Sequence, residues 1–229
     1  MKSIAFVSPK GGAGKTTACL LLALGLAERG GRVAIIDSDP NKPLAHWAAL
    51  PGRPERITVH PAPMAEDLRD AVREAQRKQP DWMILDTEGS IRGAMVFSGF
   101  RPNLVLTPSA ASHLEAMQAI KAAEIVREFG GRSGSGPIHR CLLTRVPAAL
   151  RPRSLKQVVE QLRANGIELL PTALIEKEAF RAIFAEGGGL DQAEAAGATG
   201  VAAARANADA YVNAVLEVLG EPPAMAANG

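Results

Sequence analysis

The stretch Ser8-Pro9-Lys10-Gly11-Gly12-Ala13-Gly14-Lys15-Thr16-Thr17 decides the fold. It follows a short apolar run, residues 4–7, and precedes a long apolar helical pattern, which gives the order strand, glycine-rich loop, helix. The glycines lack side chains, so backbone N–H groups can close around phosphate oxygens, and the following helix adds its N-terminal dipole. Lys15 is placed to reach the β and γ phosphates, and the Thr16 hydroxyl is placed to ligate magnesium. The stretch therefore predicts a phosphate-binding loop.

This loop departs from the ordinary Walker A pattern, G-x-x-x-x-G-K-[ST], because Pro9 stands where that pattern requires glycine. A second lysine, Lys10, stands at its head. The pattern K-G-G-x-G-K-T-T resembles the deviant Walker A loop of the ParA/MinD family of P-loop ATPases. The resemblance implies that ATP is bound by the loop residues Gly11, Gly12, Ala13, Gly14, Lys15, Thr16 and Thr17. It also implies that Lys10 reaches across a dimer to the partner's nucleotide, although a solvated lysine in a glycine-rich turn remains the alternative.

Composition limits the possible classes of protein. The chain has 229 residues, 47% hydrophobic and 22% charged, which suits a globular α/β domain. Its two cysteines provide no disulfide framework and no zinc motif, and no secretory signal or membrane-length apolar run is present, so we expect a cytoplasmic protein. Because the net charge is only +2, DNA binding would require local clustering of basic residues.

Continuous apolar runs alternate with helical patterns, which is typical of a mostly parallel, twisted sheet with helices on both faces. We therefore expect a single P-loop NTPase domain over residues 1–220 and a disordered tail over 221–229. The predicted strands are 3–8, 33–36, 57–60, 81–87, 103–108 and 141–144. The predicted helices are 15–30, 42–49, 65–78, 111–129, 154–165, 176–186 and 200–219.

Carboxylates follow two of the predicted strands, at the edge of the sheet where ligands bind in open α/β folds. Asp37-Ser38-Asp39-Pro40 resembles the family's D-x-D-P segment, and the resemblance implies that Asp39 orients the attacking water while Asp37 lies near the magnesium. A turn capping the helix that starts near residue 42 is the alternative, and Asp39 could fill both roles. Asp86 ends a strand resembling Walker B and would hold the magnesium through water. Glu88 replaces the proline that the family usually has.

The resemblance also indicates where the base of the nucleotide would lie. The segment containing Pro171 and Thr172 resembles the one that lines adenine in the family. Thr144 and Arg145 occupy the position where relatives often carry an asparagine that reads adenine.

A basic segment contrasts with the near-neutral chain, because no acidic residue occurs between Phe129 and Val159. Its residues could form a solvated surface or could bind DNA phosphates. The resemblance favours DNA and adds two further residues, so the candidates for DNA binding are Arg145, Arg151, Arg153, Lys156, Lys177 and Arg181. Aromatic residues make up only 4% of the chain, which argues against stacking on single strands.

Most of the chain, residues 2–219, carries the resemblance, and the stretch 39–47 looks most like small ParA proteins and VirC-type ATPases. It implies an ATP-bound homodimer that binds double-stranded DNA without sequence preference, associates with the nucleoid, and releases DNA when a ParB-like or cargo adaptor protein stimulates hydrolysis. The cargo would be a plasmid, a chromosome region or a protein assembly. A VirC-type role in conjugative DNA transfer is one alternative, and a metabolic ligase of the dethiobiotin-synthetase type is another. No membrane association is expected, because the tail lacks a basic amphipathic helix.

Overall fold

The computed structural model describes residues 1–8, 11–87, 100–130, 136–147 and 152–222. The predictions for Lys10, Glu88, Arg151 and residues 223–229 of the tail lie outside these ranges.

Six parallel strands in the described residues form one sheet in the order β3-β2-β4-β1-β5-β6. The strands are β1 Lys2–Phe6, β2 Val33–Ser38, β3 Ile57–Pro61, β4 Trp82–Thr87, β5 Leu104–Ala110 and β6 Ile138–Thr144. The sequence prediction of a parallel α/β sheet is therefore confirmed.

Helices connect the strands and cover the sheet. In the described residues they are α1 Lys15–Glu28, α2 Pro43–Ala49, α3 Asp67–Arg77, α4 His113–Gly130, α5 Pro152–Ala164, α6 Glu178–Glu186, α7 Leu190–Ala195 and α8 Val201–Val218. The short helix α7 was not predicted. It follows Gly187 and Gly188, which both have left-handed backbone angles, and six residues are too few to show a clear helical period.

Alternate residues of each central strand enter different hydrophobic clusters. On β1, Ile4 and Phe6 pack in the cluster that contains α1 and α8, whereas Ala5 packs with Leu68 and Val72 of α3. Both faces of the sheet are thus buried, which explains why β1, β2 and β4 contain continuous apolar runs rather than an apolar residue at every second position.

The chain order brings the carboxyl ends of β1, β2 and β4 together. Strand β4 lies between β1 and β2, with Asp86 opposite both Phe6 and Asp37 in register. Strands β2, β3 and β4 lie on one side of β1, and after β4 the chain crosses to the other side, where it forms β5 and β6. The direction in which strands are added therefore reverses beside β1. Such a reversal leaves a crevice at the carboxyl edge, where α/β proteins bind ligands.

Candidate nucleotide-binding site

Residues 11–14, directly before α1, have the backbone of an anion-binding turn. Gly12 and Gly14 have φ angles of 83° and 79°, in the left-handed region where a side chain is strained. No atom would lie within 4 Å of a Cβ built on Gly11 or Gly12, so the loop borders open space. Gly14 is the N-cap of α1, whose N-terminal dipole therefore faces the same space. The geometry suits a phosphate group.

Lys15 and Thr16, the first residues of α1, lie close to the end of β4. Lys15 is only 8% exposed, and its charge lowers the pKa of Asp86. Thr16 Oγ1 donates a hydrogen bond to Asp86 Oδ2 at 2.7 Å. The motif residues from two distant parts of the chain are thus in direct contact.

Asp86 is fully buried, and burial raises its pKa to about 7, an effect that the hydrogen bond from Thr16 opposes. Its second oxygen, Oδ1, is buried and has no hydrogen-bond partner among the described residues. A buried carboxylate oxygen without a donor is stabilised by a cation. Thr16 and Asp86 therefore fit a magnesium ion. No cluster of three or more His, Cys, Asp or Glu suited to a metal occurs in the described ranges, as expected when phosphates and water supply the remaining ligands.

Asp37 and Asp39 have different contacts. Asp37 is buried, and its Oδ2 accepts hydrogen bonds from the backbone N–H groups of Leu44 and Ala45, both at 2.9 Å. Asp37 rather than Asp39 therefore caps α2, while its register position still places it beside Asp86. Asp39 is half-buried and accepts hydrogen bonds from the backbone N–H and the side-chain amide of Asn41 at 2.8 and 3.1 Å.

A cleft of about 490 Å³ lies over the glycine-rich loop. It brings most of the predicted phosphate residues together with Asp39. It also adds Asn41, which was not predicted to line it, and Arg145, which the family resemblance linked to the base rather than to the phosphates. Its lining residues are Gly11, Gly12, Gly14, Lys15, Thr16, Thr17, Asp39, Asn41 and Arg145.

A second cavity of about 100 Å³ adjoins the cleft and shares Gly14, Thr17 and Arg145 with it. Its other lining residues are Thr144, Leu174, Ile175, Glu176, Lys177, Phe180 and Arg181. Pro171 and Thr172 precede this lining segment and do not line either cavity, so an adenine contact by them stays a prediction.

Three of the residues predicted to bind DNA lie at the second cavity rather than on a separate surface: Arg145, Lys177 and Arg181. Glu176 forms ion pairs with Arg145, at 3.8 Å, and with Arg181. Arg153 and Lys156 are exposed on α5, where Lys156 pairs with Glu160 at 3.8 Å. The structure therefore separates the candidates into a group at the cavity and a group on α5.

Sequence reasoning did not find the contacts between the end of β6 and the phosphate loop. Thr144 Oγ1 donates to the Ala13 carbonyl at 2.7 Å, and Arg145 Nη1 donates to the Gly12 carbonyl at 2.9 Å. In the sequence, Thr144 and Arg145 are only a polar pair at the end of an apolar run. Such a pair does not show which other segment of the chain it contacts.

In the described part of the chain, no helix is long and apolar enough to cross a membrane. The parallel sheet, the glycine-rich loop and the Thr16–Asp86 pair at its carboxyl edge define a P-loop ATPase of the ParA/MinD type. The chain matches the sequence model of the VirC1 protein family over residues 1–218 and belongs to that family. This membership favours the ATPase over the metabolic ligase.

Two relatives with similar sequences align with this chain over most of their length. Protein ParA of Rhizobium radiobacter is 29% identical over 225 residues, which cover 96% of this chain and 99% of that protein. Protein virC1 of the same organism is 30% identical over 190 residues, covering 80% of each chain.

Solved structures share the fold at lower identity. The structure titled apo McdA from Cyanthece superposes with a TM-score of 0.74 at 16% identity, covering 96% of this chain and 100% of that one. The septum site-determining protein MinD from Pyrococcus horikoshii, complexed with Mg-ADP, superposes with a TM-score of 0.68 at 16% identity. The match covers 96% of this chain and 97% of that one.

Proposed function

We propose that this protein is an ATP-controlled, dimerising ATPase that binds DNA without sequence preference and partitions or positions a plasmid, a chromosome region or a protein cargo. The observation that carries the proposal is the Thr16–Asp86 pair beside the glycine-rich loop, together with the buried Asp86 Oδ1, which has no hydrogen-bond partner among the described residues and which a cation would stabilise. Family membership and the ParA relative support the partitioning role.

Each residue of the cleft has a separate role in this proposal. Lys15 neutralises the β and γ phosphates, while Thr16 and Asp86 hold magnesium, which supplies charge neutralisation at the phosphates. Asp39, which lines the cleft, positions the attacking water. Asp37 acts indirectly, because its cap on α2 fixes the segment that carries Asp39.

Two tests address these roles. Lys15→Ala should abolish ATP binding, and affinity equal to wild type in calorimetry would reject the phosphate role. Asp39→Ala should retain ATP binding and lose hydrolysis by orders of magnitude, since phosphoryl transfer depends on positioning. Phosphate release measures this, and a normal rate would remove Asp39 from the mechanism.

The second cavity, of about 100 Å³, is proposed to receive the base. Apolar contact with the base would come from Leu174, Ile175 and Phe180. The base cavity borders the phosphate cleft at Thr17 and Arg145, which line both. Pro171 and Thr172 are kept as candidates for the adenine edge.

DNA binding is assigned first to Arg153 and Lys156, which are exposed on α5, a helix that packs against β6. The ion pair between Lys156 and Glu160 lies on an exposed helix surface and is worth less than about 0.5 kcal/mol, so it does not prevent a phosphate contact. Arg151, Lys177, Arg145 and Arg181 are the further candidates.

The DNA test uses fluorescent duplexes at several salt concentrations in the presence of ATP and magnesium. Each phosphate contact contributes a slope of roughly −0.9 in log K against log salt, so Arg153→Ala with Lys156→Ala should flatten the slope by about two per protomer. Arg69→Ala with Arg73→Ala is a matched control, because it removes the same charge from exposed positions on α3, which packs on β2 and β3. If the two double variants have equal slopes of log K against log salt, Arg153 and Lys156 do not contact DNA phosphates and the DNA-binding surface is not on α5.

The match to the VirC1 family model favours a second candidate function, an accessory ATPase in conjugative DNA transfer. Gene deletion distinguishes the two functions. A partition protein should be needed for retention of its plasmid, whereas a conjugation accessory should be needed for transfer between cells with retention unchanged.

A further inference from the structure

The end of β6 contacts the phosphate loop through two consecutive residues. Thr144 Oγ1 bonds to the Ala13 carbonyl and Arg145 Nη1 bonds to the Gly12 carbonyl. We propose that Thr144 and Arg145 are positioning residues that hold the phosphate loop in its anion-binding form before nucleotide arrives, an inference that rests on nucleotide binding at this loop.

Peptide geometry explains how carbonyl contacts would prepare an N–H cradle. In a planar trans peptide, the carbonyl and the N–H point in opposite directions, and no cis peptide occurs among the described residues. Holding the Gly12 carbonyl against Arg145 therefore turns the Ala13 N–H away from β6, and holding the Ala13 carbonyl against Thr144 turns the Gly14 N–H in the same way. Both donors are then set without a ligand.

The loop needs such restraint because its glycines are conformationally free. Gly11, Gly12 and Gly14 have no side chains to pack, and Gly11 and Gly12 are exposed. An unrestrained loop would lose this freedom on binding phosphate, which weakens affinity. Thr144 and Ala13 are each only 2% exposed, so their hydrogen bond is protected from water.

The two positioning residues are themselves fixed. Val146, the next residue, donates to the Leu174 carbonyl at 3.1 Å and accepts from the Glu176 N–H at 2.9 Å. Glu176 in turn pairs with the Arg145 guanidinium at 3.8 Å. The same segment, Leu174 to Lys177, lines the second cavity, so the β6 end joins the phosphate loop to the proposed base cavity.

The test compares Thr144→Val, which keeps the shape but loses the donor, with Thr144→Ser, which keeps the donor. Arg145→Met, directly after β6, is paired with the control Arg140→Met on β6, because Arg140 pairs with Glu168 at 2.7 Å and lines neither the cleft nor the second cavity. Two readouts are used: calorimetric affinity for ATP and for tripolyphosphate, and amide hydrogen exchange of residues 11–17 in the ligand-free protein.

Thr144→Val should weaken ATP and tripolyphosphate by about the same factor, roughly tenfold, as expected for leaving the buried Ala13 carbonyl without its donor. Arg145→Met should weaken both ligands by a common but smaller factor, because Gly12 is exposed and water can replace the lost donor. Both substitutions should also speed ligand-free exchange in the loop, while Thr144→Ser and Arg140→Met should resemble wild type. Because Arg145 lies at the surface, Arg145→Met decides the question even if Thr144→Val does not fold.

Two results would overturn the proposal. Weakened ATP binding with unchanged tripolyphosphate binding would make these residues base contacts. Weakened binding of both ligands with unchanged loop exchange would make Arg145 a direct phosphate ligand. If wild type binds neither ligand, nucleotide binding itself fails, whereas the exchange readout still shows whether the β6 end restrains the loop.

Discussion

Replacement of Asp86 by asparagine should stabilise the ligand-free protein above neutral pH. Burial raises the Asp86 pKa to about 7, against about 3.9 in an unfolded chain. Between these values the folded protein keeps a proton that the unfolded chain has released, so stability falls as pH rises from about 4 to about 7 and then levels off. At 1.36 kcal/mol for each pKa unit, the loss is about 4 kcal/mol.

Asp86→Asn removes this ionisation but places an amide N–H₂ where Asp86 Oδ1 has no partner among the described residues, which costs about 1–3 kcal/mol. The net gain at pH 8 is therefore about 1–3 kcal/mol. The pH dependence is the sharper result, because the variant's advantage at pH 8 should exceed that at pH 5 by about 2–3 kcal/mol.

Urea denaturation without nucleotide or magnesium measures both effects. Asp81→Asn serves as a control of opposite sign, because hydrogen bonds from Arg32 lower the pKa of Asp81 to about 2. This exposed pair should contribute only a small stabilisation, present above about pH 4 and lost as pH falls towards 2. If the free energy of unfolding of Asp86→Asn exceeds that of wild type by the same amount at pH 5 and pH 8, burial does not raise the Asp86 pKa as argued.

Three substitutions test the packing around the site. Gly25→Ala should cost about 1–3 kcal/mol in urea denaturation, because its Cβ would lie 2.6 Å from Val212 Cγ2. Trp47→Phe should cost about 1–3 kcal/mol by the same assay, since Trp47 is 1% exposed and its Nε1 donates to the Gly188 carbonyl at 3.0 Å. Gly14→Ala should weaken ATP binding in calorimetry, because φ at Gly14 is 79°.

Each of these substitutions has a contrary outcome. Gly189→Ala, whose Cβ would meet no atom nearer than 3.7 Å, is the control for Gly25→Ala, and equal stabilities would contradict close packing of α1 on α8. Unchanged stability of Trp47→Phe would show that its hydrogen bond is dispensable. Wild-type affinity of Gly14→Ala would show that the loop does not need its left-handed residue.

Much of the fold follows from local sequence. The strands were predictable because both sheet faces are buried, so β1, β2 and β4 are continuous apolar runs. Lys15, Thr16 and Asp86 were predictable because their motifs have fixed positions at strand ends.

Features that depend on tertiary contacts were not predictable. Asp37 and Asp39 could both have capped α2, and the left-handed Lys42, with φ 49°, is part of the turn that places the first turn of α2 over Asp37. The contacts of Thr144 and Arg145 require β6 to be placed two strands from β1, and chain order alone does not give that arrangement. The ion pair of Arg145 with Glu176 could not be foreseen either, since the basic segment contains no acidic residue of its own.

Control of dimerisation by ATP is the central claim, and the molecular mass in solution tests it most directly. Light scattering should give Asp39→Ala, with ATP and magnesium, twice the 24.0 kDa of one chain, and the single-chain mass with ADP. Lys10→Ala should bind ATP yet keep the single-chain mass, because two facing polyphosphates would repel each other without a cation between them. A single-chain mass for Asp39→Ala with bound ATP, or a dimer of Lys10→Ala as stable as wild type, would contradict the account.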